Sequence, residues 1–330
     1  MTSHDTLNLT KGRKIMMITT DKFFQEENQT SPFFEGWYFK HQIEHEVYSF
    51  IPGYSISENG ERCPFIQVIS HEQSEIFFFD SDQLFVAKDH LFIEIGKNTF
   101  SEKGLSLSLT SPNLTITGTI DYGSFTPLRR TNYAPSIMGP FSYLSFMECY
   151  HGILSMKHSL KGQLTWNNQQ IDFTHGIGYL EKDWGSSFPA TYLWAQCNQF
   201  ETIDAQFFFS AAEIPFLKGR FLGVISVLQV NNEEYRFGTY YGAKILSIFR
   251  KENNLVIIMK QQQLELTIEV QTEGGHPLMA PHQGLMNRII REKASTEITV
   301  TLQKNKGIIF KQKGNAAGFE EVGQLRGFSY

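Results

Sequence analysis

LSLSLTSPNLTITGTI, residues 105–120, is the stretch whose spacing decides the fold. Leu105, Leu107 and Leu109 alternate with Ser and Thr, and Leu114, Ile116 and Ile120 continue the pattern past a Ser111-Pro112-Asn113 turn. A period of two puts apolar side chains on one face of an extended chain and polar ones on the other, as in a half-buried strand. Leu264, Leu266, Ile268 and Val270 repeat it against Glu and Thr. Between such runs stand Asn167-Asn168 and Asn231-Asn232, which read as hairpin turns because Asn tolerates positive φ. One segment reads differently. From about His282 to Lys293, Leu285, Met286, Ile289 and Ile290 fall on one side of a helix, with Arg288, Arg291 and Glu292 on the other. The expectation is an all-β chain of antiparallel barrels or sandwiches with one short helix near 282–293.

Composition narrows the class. A chain of 330 residues is long enough for two domains, and its formal charge of -5 with scattered Lys and Arg argues against nucleic acid. Charged residues are 19% and aromatics 14%, with 29 Phe, which suits a large apolar interior and a ligand cavity. Cys63, Cys149 and Cys197 are widely spaced with no CxxC, so they read as reduced thiols. No segment approaches the roughly 18 apolar residues of a membrane span, and the first twenty residues read as a loose arm without a signal-peptide core. Under that reading the sequons at Asn8, Asn28 and Asn113 carry no weight. The expected location is cytoplasmic. The partner is an apolar small molecule, transient membrane-surface contact is left open, and nothing signals an oligomeric state.

Two motifs concentrate charge among aromatics. In FFEGWYFK, residues 33–40, a strand puts Phe33, Glu35, Trp37 and Phe39 on one face, and Gly36 allows close approach of a backbone or ligand. In GYLEKDWGSSFPATYLWAQCN, residues 178–198, Glu181 and Asp183 project together beside Lys182 and Trp184. The strand that follows carries Tyr192, Trp194, Gln196 and Asn198 on one face and Leu193, Ala195 and Cys197 on the other. The first of these faces has the mixed stacking and hydrogen-bonding character of a pocket wall. A packing-only reading is that Glu35 pairs with a nearby cation, and that Glu181, Lys182 and Asp183 form a buried ion network at an interface. FEGW and EKDW also echo each other, which suggests two copies of one barrel, 1–160 and 161–330.

Other chemistry finds little support. His41-Gln42-Ile43-Glu44-His45 matches H-x-x-E-H, but that zinc site needs a helix; in a strand the two His stand about 13 Å apart at ~3.3 Å per residue. A solvent-facing hairpin tip is the better reading, and no metal is expected. His151, beside Glu148 and Tyr150, could line a pocket, although a lone His is more often structural. There is no GxGxxG, no GxxxxGK[ST] and no G-x-S-x-G, and no cofactor is expected.

FEGWYFK and GYLEKDWGSSFPATYLWAQCN, followed by HPLMAPHQGLMNRIIRE from His276 and GNAAGFEEVG from Gly314, resemble the tocopherol cyclase family over residues 31 to 325. Plant members read E-K-N-W-G where this chain has Asp183, and no plastid transit segment is expected from its opening residues. The resemblance implies two tandem lipocalin-like barrels, related to carotenoid hydratases and Diels-Alderase-type cyclases, holding an apolar substrate. It also implies a chemistry: a carboxylic acid protonates a prenyl double bond and a phenol oxygen closes on the tertiary cation. An apolar pocket keeps such an acid protonated, and aromatic faces stabilise the cation. Glu35, Glu181 and Asp183 are the candidate acids, with the last two favoured and not separable. Trp37, Tyr38, Lys182, Trp184, Tyr192, Trp194, Gln196 and Asn198 are the candidate substrate-binding residues. The expected function is a cofactor-independent cyclase or isomerase; the alternative is a non-catalytic carrier of an apolar molecule.

Overall fold

The computed structural model describes residues 24–25 and 32–330, so the arm expected over residues 1–20 lies outside the described residues. Its first sheet begins with β1 (Phe33–Ile43), β2 (Glu46–Ile56), β3 (Arg62–Ser70) and β4 (Ser74–Phe78). It continues with β5 (Leu84–Val86), β6 (Phe92–Ile95), β7 (Asn98–Ser101), β8 (Gly104–Thr110) and β9 (Thr115–Tyr122). β10 (Cys149–Trp166), β11 (Gln169–Asp172) and β12 (Ile177–Gly185) complete it. The second sheet holds β13 (Tyr192–Cys197), β14 (Ala205–Phe216), β15 (Gly219–Val230), β16 (Glu233–Gly238) and β17 (Lys244–Lys251). After these come β18 (Asn254–Gln261), β19 (Leu264–Gln271), β20 (His276–His282), β21 (Leu285–Lys304) and β22 (Gly307–Val322).

The two sheets share a pattern of strand order. The first sheet runs β4-β3-β2-β1-β12-β10-β9-β8-β7-β6-β5 and the second β16-β15-β14-β13-β22-β21-β19-β18-β17. In each, the opening strand lies between the second strand and the last. By this topology β1 corresponds to β13. The EKDW motif is not a second copy of FEGW: the two are antiparallel neighbours in one sheet, Glu35 opposite Trp184 and Trp37 opposite Lys182. The chain crosses between sheets in residues 186–191, whereas the expected border at 160/161 falls inside the single strand β10.

Each sheet curls around its own apolar core. The alternating residues Leu105, Leu107, Leu109, Leu114, Ile116 and Ile120 are buried in the first, together with Phe39, Phe50 and Phe100. Leu266, Ile268 and Val270 are buried in the second with Phe207 and Phe209. Burying an aliphatic or Phe side chain contributes about 1.5–3 kcal/mol, so the period-two pattern supplies both registers. A third apolar cluster, including Tyr38, Ile153, Trp194, Phe208, Val227 and Ile290, lies between the two units. It explains why β1, β12 and β13 lack clean alternation: one face fills their own core and the other meets the neighbouring unit.

The hairpin reading holds at both Asn pairs, with φ of 47° and 69° at Asn167 and Asn168, and 52° and 64° at Asn231 and Asn232. The helix does not. His282 ends β20, Gln283 and Gly284 turn at φ 50° and 70°, and β21 runs on from Leu285. Its burial alternates, with Met286, Arg288, Ile290 and Glu292 turned inward relative to Leu285, Asn287, Ile289 and Arg291. Paired apolar residues four apart fit a helix face and an edge-to-centre strand equally. The Gln-Gly turn and the partner strand decide for the strand. Among the described residues there is no α-helix, and therefore none long and apolar enough to cross a membrane.

Candidate active site

β12 presents a different chemistry on each face. Lys182 and Trp184 point into the first core, where Lys182 Nζ forms an ion pair with Glu35 Oε1 across the sheet, both side chains fully buried. Glu35 also accepts hydrogen bonds from Tyr54 Oη at 2.9 Å and from the Gln25 amide at 3.2 Å. The indoles of Trp37 and Trp184 each lie 5.0 Å from Lys182 Nζ, so the ammonium is held between two aromatic faces. Glu35, Trp37, Lys182 and Trp184 thus form a sealed charged cluster, as in the packing-only reading for Glu35. They do not line the cavity between the units. Gln196 and Asn198 are also turned elsewhere. Gln196 accepts from Lys40 Nζ at 2.8 Å, and Asn198 Nδ2 donates to the Gly178 carbonyl at 3.3 Å, tying the two units together.

The opposite face of β12 carries Tyr179, Glu181 and Asp183 toward the second unit. Glu181 and Asp183 line a cavity of about 170 Å³, walled by Tyr38, Trp194, Tyr192 and Phe188 with a floor of Met, Ile and Leu side chains. A cavity near 150 Å³ holds one benzene ring, so this partly open space takes one ring with small substituents. Trp194 can lie across β22 only because residue 318 is glycine; a Cβ there would stand 2.6 Å from the indole.

His151, on β10, binds the carboxylates together. It lies opposite Asp183 in the β10–β12 ladder, with Nδ1 and Asp183 Oδ1 sharing a 2.8 Å hydrogen bond. Its Nε2 lies 3.5 Å from Glu181 Oε2, and its ring stacks on Phe208 at 4.8 Å and 17°. Glu181 Oε2 also accepts from Tyr179 Oη at 2.5 Å and Trp194 Nε1 at 3.3 Å. Burial raises Glu181 to about 7, Asp183 pushes in the same direction, and His151 with the two donors pulls back. Among the described residues, His151, Glu181 and Asp183 are the group whose donor atoms, within 4.8 Å of one another, could close on a metal ion.

Across the cavity stands Glu320, with a second carboxyl, Glu292, buried beside it. Glu292 on β21 and Glu320 on β22 are directly opposite in the ladder. Tyr38 Oη donates to Glu292, and Tyr192 Oη donates to Glu320 at 2.5 Å. Burial raises Glu292 to about 7, and holds Glu320 well above the carboxylate range with Glu292 adding repulsion. Lys40, itself lowered to about 8 by burial, is the cation that favours the Glu292 carboxylate.

Residues 113–324 match the family model described as Tocopherol cyclase-like. The chain belongs to that family. It is similar to a probable chloroplastic tocopherol cyclase of Oryza sativa subsp. japonica, 32% identical over 73 residues that cover 22% of this chain and 14% of that protein. A chloroplastic tocopherol cyclase of Zea mays is 29% identical over 77 residues, 23% of this chain and 16% of that one. These matches span about a seventh of the length of the curated relatives. Among solved structures, one titled as an AttH protein of Nitrosomonas europaea superposes with a TM-score of 0.52 at 12% identity, over 92% of this chain and 98% of that one. That similarity establishes the lipocalin-like fold shared with this tocopherol cyclase-like chain.

Of the expected site residues, the structure brings Glu181, Asp183, Tyr38, Tyr192 and Trp194 to one cavity. His151, which the sequence leaves as a possible pocket liner, and Glu320, which it does not signal, join them, and Glu292 lies buried behind Tyr38. A strand reading of 285–293 would have put Met286, Arg288, Ile290 and Glu292 on one face and exposed the acid among them. In the H-x-x-E-H segment, Glu44 (φ 50°) and His45 do lie at the exposed turn. His41 is buried instead, bonded to the Tyr48 carbonyl at 3.1 Å and Tyr122 Oη at 2.6 Å.

Proposed function

We propose that this tocopherol cyclase-like chain is a cofactor-independent cyclase or isomerase of a hydrophobic, isoprenoid-type or polyene substrate, with Glu181 as the acid. The observation that carries the reading is a fully buried carboxyl, raised to about 7, at the wall of an apolar, aromatic cavity. Two donors gather on Glu181 Oε2, from Tyr179 Oη and Trp194 Nε1, which leaves Oε1 free to carry the acid proton. Transfer of that proton to a substrate double bond leaves a tertiary cation. The rings of Trp194, Tyr38 and Tyr192 can stabilise the cation without adding to it. Closure by a phenol oxygen releases the phenol proton. His151, between Asp183 and Glu181, is placed to return it to the Glu181 carboxylate, so no proton is consumed. Glu35 is not the acid in this scheme, because it is paired with Lys182 inside the first core and does not reach the cavity. Asp183 orients the imidazole. The reaction is placed in the cytoplasm, where the three free cysteines would stay reduced.

The test is incubation of the purified chain with a prenylated hydroquinone, following ring closure by mass spectrometry and binding by tryptophan fluorescence. Glu181→Gln should bind the substrate with wild-type affinity and lose turnover by at least a hundredfold, a general acid being worth 10²–10⁴. Full activity in Glu181→Gln would overturn the assignment. Tight binding with no turnover by the wild-type chain would identify a carrier instead.

A further inference from the structure

The cavity takes one ring, so any longer apolar tail must leave through its mouth. A chain of aromatic contacts runs from the cavity lining to the surface. Phe141 and Phe221, both at the cavity, stack at 5.5 Å; Phe221 meets Phe216 edge-on at 5.8 Å; Phe216 meets Phe146 at 5.8 Å. Phe146 is 57% exposed, and Leu217 beside Phe216 is 85% exposed at the tip of the β14–β15 hairpin. Leu217 also adopts φ 52°, a left-handed conformation costly for a residue with a Cβ. A strained and almost fully exposed leucine contributes nothing to the core.

The charge around this mouth runs against the rest of the molecule. Lys218 and Arg220 flank the apolar tip, and Arg288 clasps the carbonyls of Pro189 and Ala190 at the cavity wall. The acidic group facing them is Glu148, which burial raises while Arg220, His282 and Arg288 pull it down. Glu213 on the same hairpin is engaged by Arg326. Three cations against one carboxyl leave a positive collar on a chain whose formal charge is -5. Apolar side chains at a tip ringed by Lys and Arg are the pattern of insertion into an anionic lipid surface.

From this we infer that the Phe146–Phe216–Leu217 tip and its collar of Lys218, Arg220 and Arg288 dock the protein on an anionic membrane surface, with the cavity mouth toward the lipid. The inference rests on the proposed reading of the cavity as a site for an isoprenoid-type substrate. Docked so, the mouth passes a ring inward while the tail stays in hydrocarbon, and no apolar surface crosses water.

Flotation of the full chain with vesicles of phosphatidylglycerol and phosphatidylcholine in equal parts tests the inference. The wild-type protein should float with these vesicles, and fail to float with phosphatidylcholine alone. Lys218→Gln should bind about fivefold more weakly, as expected for one cation at about 1 kcal/mol near an anionic surface. Leu217→Asp should bind on the order of tenfold more weakly or worse, as expected for losing an inserted leucine. Leu217→Asp should keep wild-type turnover of a detergent-free, short-tailed analogue and lose it on a long-tailed substrate carried in vesicles. Failure of the wild-type chain to bind anionic vesicles would overturn the docking, as would wild-type binding by both variants. So would a dimer in solution that Leu217→Asp dissociates, since a second copy would then cover the tip. Flotation needs no turnover, so it reads the docking even where the cyclase assay fails.

Discussion

Replacing Glu181 by Gln should make the stability of the protein less dependent on pH, by an amount the site defines. The unfolded carboxyl titrates near 4.5 and the folded one near 7, because burial disfavours the anion. Between those values the folded state binds more protons than the unfolded state, so stability falls as pH rises through the window and levels off above it. At about 1.4 kcal/mol per pH unit, the full cost is about 3 kcal/mol. Glutamine has the same shape, accepts from Tyr179 and Trp194 through its carbonyl, and cannot ionise. Relative to wild type, Glu181→Gln should therefore gain about 3 kcal/mol between pH 4.5 and pH 8, whatever fixed packing difference the amide brings. Urea midpoints at both pH values measure the gain directly, provided the slope m is unchanged. The raised group Glu292 is present in both proteins and cancels, whereas Glu320, which the Glu181 charge also raises, relaxes in the variant and adds to the gain. A stability difference constant from pH 4.5 to 8 would show that Glu181 ionises as an ordinary carboxylate, and the acid assignment would fall with it.

The same titration sets the direction of catalysis: turnover should fall as pH rises through about 7, and an enzyme whose rate climbs there would need a base in place of Glu181. Lys182→Met should cost about 3–5 kcal/mol by stranding the Glu35 carboxylate, while Lys182→Met with Glu35→Leu should recover most of the loss in thermal unfolding. Trp184→Ala should lower stability without changing ligand affinity and Trp194→Ala should weaken binding; the reverse, read by fluorescence titration, would mean the two faces of the central strands are exchanged. Gly318→Ala should displace the Trp194 indole and weaken binding, and an unchanged affinity would show that the ring does not wall the site.

The fold was legible wherever a strand had one dry face. Leu105 to Ile120 and Leu264 to Val270 alternate because solvent lies on their other side. Where both faces are buried that signal vanishes: the spacing in β12 does not read as a strand, and β1 and β13 read as strands that the sequence does not orient. The partition of side chains within each was right: Glu35 with Trp37, and Tyr192 with Trp194. What no periodicity reports is which of two buried faces meets the cavity. For that reason Glu35, Trp37, Lys182 and Trp184 were grouped with residues that lie across the sheet from them. The helix expected near 282–293 failed for a related reason. Apolar residues in adjacent pairs satisfy a helix face, and only pairing with β20 shows that Glu292 looks inward.

That one-residue alternation along β12 accounts for the different states of its acids and their partners. Lys182 points into the first core, where it meets Glu35, and a buried carboxyl matched to an ammonium stays charged. Glu181, one residue earlier, points the opposite way, to a face where imidazole and neutral donors meet it in place of an ammonium. Burial then outweighs the donors and the proton stays on the acid near neutral pH. A slip of β12 by one residue against β1 would exchange the faces, placing the lysine in the apolar cavity and the acid in the core. The residues that fix the register, Tyr179 in one interior and Leu180 and Trp184 in the other, therefore also set the chemistry.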